Sequence, residues 1–447
     1  MTKNKELKVD WILTLAVGLL ILIGLAYLYS AIIANITVSE AVKTLHTNSI
    51  LNQEFAYQLF IGVGLGLGLG YLFYRLDYHK LLEYSTPLMW ILLILLAIIA
   101  IPVSIANVYA RAKGLSTDTV YAQLSQATHG FLFYANNSIR WIKVGFTIQP
   151  AELAKIILLV FVAATIDRFK DANWQKYRTP VFLGLAVVGM ILIQPDLGSV
   201  VVIMGILLSS LWVAGIRVRF FATLTIIAAL FGVLFISTAS YRNVRVVTWA
   251  YQNFCSDINL NAPPPKSEQK GICKFFDFNK NTVSSYQTDQ IRTALATGGF
   301  VGVGYNRGNL KTIIPEVRTD GIIGVIGEEN GMLMVLLVMI CYATVFFRGL
   351  WIAEHAPDRA GKILATGIAV WFAFQSLWNI TGMTGLIPMK GLTLPLLSEG
   401  NSSMIVSLIA IGILLNIGTQ TTVAETRKVR HSSNRNKASS KFSRFAR

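Results

Sequence analysis

The densest chemistry in the chain lies between Glu316 and Glu329, where Glu316, Arg318, Asp320, Glu328 and Glu329 place five ionisable groups within fourteen residues, at the threshold of an apolar stretch. A charged side chain at the centre of an inserted helix costs about 2.5–3.5 kcal/mol, so a segment whose only duty was to cross lipid would not begin this way. Ion pairing, for example Arg318 with Glu328, is one reading. The other is a carboxylate held beside cations at a cavity mouth, which is what a general base requires.

Three further clusters lie at the edges of apolar stretches. Gln149-Pro150-Ala151-Glu152-Leu153-Ala154-Lys155 puts Glu152 and Lys155 three residues apart, on one face of a helix, as an interhelical ion pair or as the wall of a polar cavity. Asp196, in Gln194-Pro195-Asp196-Leu197-Gly198, either caps the helix that follows or faces the same cavity. Arg140 and Lys143, flanking Trp141 and Ile142, suit a phosphate-bearing headgroup or a plain interfacial anchor. The run from Ile387 to Ser403 carries Lys390, Ser398, Ser402 and Ser403 with two prolines and two glycines, which forbid a regular helix. Irregular backbone at membrane depth is tolerated where it lines a cavity, so this run reads as a re-entrant or lid-like element. Glycines 298, 299, 302, 304 and 308 have no strand–helix context around them, which argues against a nucleotide cradle.

The elements that position these residues must be membrane helices. Of 447 residues 54% are apolar and 14% charged, and the mean hydropathy is +0.56; lipid is the solvent for such a chain. Hydropathy predicts about ten spans, near 11–34, 58–74, 87–106, 151–167, 179–194, 197–214, 219–239, 323–347, 363–384 and 402–418. The formal charge of +16 would suggest nucleic acid in a soluble protein. Here the basic residues flank spans, and more than half fall on one side if both termini are cytoplasmic. No nucleic-acid partner is expected. The expected fold is all-α and polytopic. Residues 1–10 form a cytoplasmic tail, 11–418 the transmembrane domain, with a long extracytoplasmic loop 240–322 between helices seven and eight, and 419–447 a basic cytoplasmic tail. Cys255 and Cys273 share that loop, and an oxidising compartment permits a bridge between them; free thiols are the alternative. In the second span Gly62, Gly66 and Gly70 recur at four-residue spacing, a face for close helix approach.

Together these motifs resemble the SEDS family, from about residue 11 to 420. The resemblance rests on Arg140-Trp141-Ile142, Gln149 to Lys155, Gln194 to Gly198, Pro315 to Asp320 and Gly385 to Ser403. Pro388-Met389-Lys390-Gly391-Leu392-Thr393-Leu394-Pro395 resembles the division branch, FtsW, more than the elongation branch, RodA. Two departures stand out. The family commonly has His where this chain has Arg318, and Ser-Tyr-Gly-Gly-Ser-Ser where it has Ser398-Glu399-Gly400-Asn401-Ser402-Ser403.

The resemblance implies an inner-membrane peptidoglycan glycosyltransferase that polymerises lipid II outside the membrane, with a class B penicillin-binding protein transpeptidase and other divisome membrane proteins as partners. The family's catalytic aspartate falls on Asp320. Arg140, Lys143, Glu152, Lys155, Asp196, Glu316, Arg318, Lys390, Ser398, Ser402 and Ser403 are then the expected substrate contacts. Arg140, Lys143, Arg318 and Lys390 are the cations for a pyrophosphate leaving group, alongside a divalent cation, Mg2+ or Mn2+, held by the pyrophosphate and an acidic side chain. The rival readings are a flippase for the same lipid, an elongation polymerase, and a non-catalytic scaffold for a transpeptidase.

Overall fold

The structure is a computed structural model and describes residues 9–40, 55–135, 138–169, 175–237, 240–255, 286–388 and 391–421. In chain order the helices are α1 (Trp11–Glu40), α2 (Phe55–Arg75), the short α3 (Tyr78–Glu83), α4 (Ser85–Lys113), α5 (Thr117–Ala127), α6 (Pro150–Arg168), α7 (Gln175–Ile193), α8 (Leu197–Val213), α9 (Val218–Ser237), α10 (Ser240–Phe254), α11 (Tyr286–Gly298), α12 (Ile322–Glu354), α13 (Arg359–Met383) and α14 (Asn401–Thr421). Six of them, α1, α2, α4, α12, α13 and α14, are long and apolar enough to cross a membrane. Helices α7, α8 and α9 carry shorter apolar segments, and α6 is interrupted by Glu152 and Lys155. The chain is a multi-pass membrane protein whose helices fall where hydropathy places the ten spans.

The inner helices are α6, α13 and α14, buried on nearly all faces, as expected of helices apolar all round. Contacts sort the helix ends into two sets. At one end Arg348 binds Asp10 at 2.6 Å, the Tyr78 amide donates to Asn416 Oδ1 at 3.3 Å, and Asp358 accepts from Tyr78 and His79. At the other end lie Arg140, Gln149, Pro195, Asp320 and the segment 391–403.

The stretch 107–150, which hydropathy leaves between two predicted spans, is structured. Helix α4 has 29 residues, about 43 Å at 1.5 Å each, against a hydrocarbon core of about 30 Å. Its far end, Val103 to Ala110, therefore projects and joins Val120 and Tyr121 of α5 in a separate small core. That core also takes Leu132, Ile139 and Ile142 from an antiparallel sheet of β1 (Leu132–Ala135), β2 (Ser138–Val144) and β3 (Phe146–Ile148). The sheet is an addition to the all-α expectation. It is short and its side chains do not alternate cleanly, so period-2 patterning is faint. The loop 240–322 likewise contains α10 and α11. Cys255, at the end of α10, is disulfide-bonded, and Cys341 is a free, buried thiol. Cys273 lies outside the described residues.

The second-span glycines do the packing expected of them. A Cβ on Gly66 would stand 2.6 Å from Leu408 Cδ1, and one on Gly70 2.7 Å from the Leu408 carbonyl oxygen. The partner is α14, whose Gly412 approaches the Gly70 backbone in return.

Candidate functional site

Helix α12 is broken within its span. Gly331 has φ 69° and ψ −171°, a conformation open to glycine and strained for other residues. The break releases backbone groups that lipid could not satisfy, and the glycine-rich stretch after α11 satisfies them. The Val303 and Gly304 amides donate to the carbonyls of Glu328 and Glu329 at 3.0 and 2.8 Å, and the Met332 amide donates to Gly299 at 2.8 Å. This is what glycines 298 to 304 are for. Glu328 accepts from the amides of Asn309 and Leu310 at 2.8 and 3.1 Å. Glu329 pairs with Lys311 at 2.7 Å and accepts from Ser30 at 2.6 Å. Both glutamates thus hold the loop 299–314, and Arg318 has a different partner.

Before α12, residues 315–320 form a tight turn. Glu316 has φ 52°, and its carbonyl accepts from the amides of Thr319 and Gly321 at 3.1 and 3.0 Å. Its exposed carboxylate accepts from the Thr319 hydroxyl at 3.1 Å. The turn presents Asp320, half-buried, against the segment after α13: a Cβ on Gly391 would stand 2.6 Å from Asp320 Oδ2. A side chain at 391 would push the carboxylate away from this position.

The segment 391–400 is re-entrant. Leu392, Leu394, Leu396 and Leu397 are buried, the Tyr342 hydroxyl donates to the Pro395 carbonyl at 2.6 Å, and a Cβ on Gly24 would stand 2.5 Å from the Leu397 carbonyl oxygen. Gly24 lies ten residues from Ala34, one end of the first span, so the segment reaches about 15 Å along that span from this end. Ser398 accepts from the Leu394 amide at 2.9 Å and closes this turn.

Around the segment the remaining candidates form one bonded network. Ser402 donates to the Thr147 carbonyl at 2.9 Å and accepts from the Gln149 amide at 3.2 Å. Gln149 Nε2 donates to Asp196 at 3.0 Å, and Asp196 also caps α8 by accepting from the Ser199 amide at 3.1 Å. Arg140 Nη2 donates to the Pro195 carbonyl at 2.9 Å, while its Nε is buried without a hydrogen-bond partner among the described residues. Ser403 lies 3.3 Å from the Thr393 hydroxyl. Lys155 sits fully buried between Glu152, at 2.7 Å, and Gln375 Oε1, at 3.0 Å, above the Trp371 ring. Gln375 Nε2 then donates to the Thr393 carbonyl at 2.7 Å. One turn further along α13, Asn379 Nδ2 donates to the carbonyls of both Asp320, at 3.1 Å, and Leu392.

Two candidates stand elsewhere. Lys143 is exposed with its ammonium 5.7 Å from the Phe133 ring centre. It lies three residues from Arg140 on β2, and odd spacing along a strand points side chains to opposite faces. Lys390 lies outside the described residues. Gln375 and Asn379 were missed by reasoning that followed charge. The available signal was a pair of amides four residues apart inside an apolar helix, where lipid tolerates polar groups only if they are bonded within the protein.

A helix bundle enclosing a polar centre made of helix ends, a broken helix and a re-entrant segment defines a class of polytopic membrane protein whose working residues gather at one membrane face. Within that class the chain belongs to the FtsW, RodA and SpoVE family, whose model, described as a cell cycle protein, matches residues 124–256 and 265–423. It is 31% identical over 416 residues to a probable peptidoglycan glycosyltransferase FtsW of Trichlorobacter lovleyi, covering 91% of this chain and 92% of that one. It is 33% identical over 288 residues, 63% of this chain and 72% of the relative, to stage V sporulation protein E of Bacillus subtilis. Two solved structures share the fold. One is a chain of a structure reported as "Structural coordination of polymerization and crosslinking by a peptidoglycan synthase complex", with TM-score 0.63, 23% identity, and coverage of 92% of this chain and 98% of that one. The other is RodA of Thermus thermophilus, with TM-score 0.58, 22% identity, and coverage of 92% and 97%.

Proposed function

We propose that this chain is a peptidoglycan glycosyltransferase that polymerises lipid II at the outer face of the cytoplasmic membrane during septal wall synthesis, with both termini in the cytoplasm. Relatives named as such enzymes over nine-tenths of the chain support the reaction class. The observation that carries the residue assignment is the half-buried Asp320 carboxylate, seated against the Gly391 backbone beside a membrane-embedded polar network.

In this reading Asp320 takes the proton from the 4-hydroxyl of the acceptor sugar as that oxygen attacks C1 of the donor sugar. The C1–O bond to the pyrophosphate breaks with inversion, and the polyprenyl pyrophosphate leaves with the electron pair. Charge then grows on the leaving group in a water-poor setting, where fixed cations act most strongly. Arg140, whose Nε is buried and has no hydrogen-bond partner among the described residues, and Lys390 supply that charge. Arg318 is held in an ion pair, and Lys143 faces away from Arg140. Glu152 and Lys155 brace the wall of the site, as do Asp196, Ser402 and Ser403. Among the described residues no cluster of three or more His, Cys, Asp or Glu forms a protein-only metal cage. A Mg2+ or Mn2+ ion would instead be held by the pyrophosphate with Asp320 or Glu316, a donor set that suits Mg2+, and would neutralise phosphate charge. A class B penicillin-binding protein is the partner that fits, since the glycan made here is the substrate for crosslinking.

Polymerisation of purified lipid II in detergent tests the reading. Asp320→Asn keeps the shape and removes the basicity, and the expected loss is about 10²–10⁴-fold. A parental rate in that variant overturns the assignment. Product made with no compartment to cross excludes pure transport.

A further inference from the structure

Arg318 and Glu399, two of the three residues at which the sequence departs from the pattern it resembles, are bonded to each other. Arg318 Nε lies 3.1 Å from Glu399 Oε2, with both side chains partly buried at 29% and 27% exposure. The Glu399 amide also donates to the Arg318 carbonyl at 2.9 Å. Two residues further on, Asn379 bridges the Asp320 and Leu392 carbonyls. The turn that carries Asp320 is therefore strapped to the segment that carries Gly391 from both sides, by an amide inside the bundle and an ion pair at the rim. Arg318 and Asp320 are two residues apart on a turn whose Glu316 already adopts a left-handed conformation. The chain itself becomes helical again only at Ile322.

We propose that Arg318 and Glu399 are positioning residues that act as a latch, holding the Asp320 turn on the re-entrant segment. The inference rests on Asp320 as the general base. The latch touches neither sugar nor pyrophosphate. It holds the carboxylate in place, and a displacement of about 1 Å at a reacting group lowers turnover about 10²-fold. Because the pair is partly solvated, salt screens it in part.

The test is lipid II polymerisation by the full-length chain in detergent, with kcat and KM measured separately and folding checked by thermal unfolding. Arg318→Gln and Glu399→Gln are each expected to lower kcat by about 10–100-fold, with KM within about twofold. The charge-exchanged double variant, Arg318→Glu with Glu399→Arg, is expected to recover most of that loss, because the attraction is restored with its direction reversed. High salt should lower kcat in the parent and leave the Arg318→His, Glu399→Tyr double variant unaffected. Parental kcat in a folded Glu399→Gln variant overturns the latch. So does a fall in KM at constant kcat, which would mark Arg318 as a substrate cation released from its partner. Losses that multiply in the exchanged variant overturn it too. Asp320→Asn, run alongside, separates the two claims. If that variant is active, the general-base reading fails; if it is inactive while the latch variants turn over normally, the latch alone fails.

Discussion

At the residue scale the most consequential arrangement is a lysine buried as completely as any apolar side chain in the protein. Lys155 has one formal counter-charge, Glu152, and one amide acceptor, Gln375. Oε2 of Glu152 is buried without a hydrogen-bond partner among the described residues. Removing one member of such a pair leaves the other charge uncompensated, at a cost of about 3–5 kcal/mol, whereas replacing both by apolar groups is often neutral. Lys155→Met should therefore lower the unfolding temperature markedly, and Glu152→Leu with Lys155→Met should return it close to the parental value. Activity should return only in part in the double variant, because Gln375 Oε1 would keep the Trp371 indole donor at 2.7 Å and lose the lysine that shares in orienting it toward Thr393. Melting curves in detergent read the first effect and lipid II turnover the second.

At the element scale the protein relies on places where helices touch backbone to backbone or stop being helical. A Cβ at Gly412 would stand 2.1 Å from the Gly70 carbonyl oxygen, an obstacle made of backbone that no rotamer change removes. Gly412→Ala should force α2 and α14 apart and destabilise by about 1–3 kcal/mol, the usual cost of overpacking, seen as a lower melting temperature. Gly68→Ala, on the opposite side of α2 with nothing within 4 Å of the added carbon, should change it little. The contrast between the two substitutions separates packing from helix propensity, which would favour alanine at both positions.

At the scale of the whole molecule, one end carries the candidate chemistry and the other a clamp. His79 sits between two carboxylates, with Asp77 2.7 Å from one ring nitrogen and Asp358 2.8 Å from the other. Asp358 also accepts from Tyr78 and caps α13, and Gln420 of α14 reaches Asp77 at 3.0 Å. Partial burial opposes protonation of His79, but the two carboxylates outweigh it and raise its pKa above the usual histidine value. A raised pKa means that the clamp contributes fully below the unfolded-state value, near 6.5. The contribution is lost as pH rises through the higher folded-state value. Melting temperature should thus decline as pH rises from about 6.5 through the higher folded-state value, and His79→Gln should flatten that part of the profile. The effect will be small, because the ring is about half exposed.

How much of this could be read beforehand differs by residue. The ten spans, the Gly62–Gly66–Gly70 face and the re-entrant run after α13 were all legible, because lipid permits so few backbone solutions that hydropathy, glycine spacing and proline placement nearly determine them. The Glu152–Lys155 pair was legible from helical spacing. The choice between pairing partners was not. Arg318 lies ten residues from Glu328 and 81 from Glu399, and it is Glu399 that it meets, because the re-entrant segment folds back across the turn. Gln375 and Asn379 carry no charge to mark them, and their partners, the carbonyls of Asp320, Leu392 and Thr393, are brought to them only by the fold.

The amino-acid sequence by itself determined that the chain lives in a membrane, where its apolar helices lie, and which charged residues required an explanation. Those properties follow from transfer energies that act residue by residue along the chain. Which of those residues meet was decided only by the tertiary structure, since a polar group buried in lipid must find a partner within the protein, and that partner is set by how segments far apart in the chain pack in space.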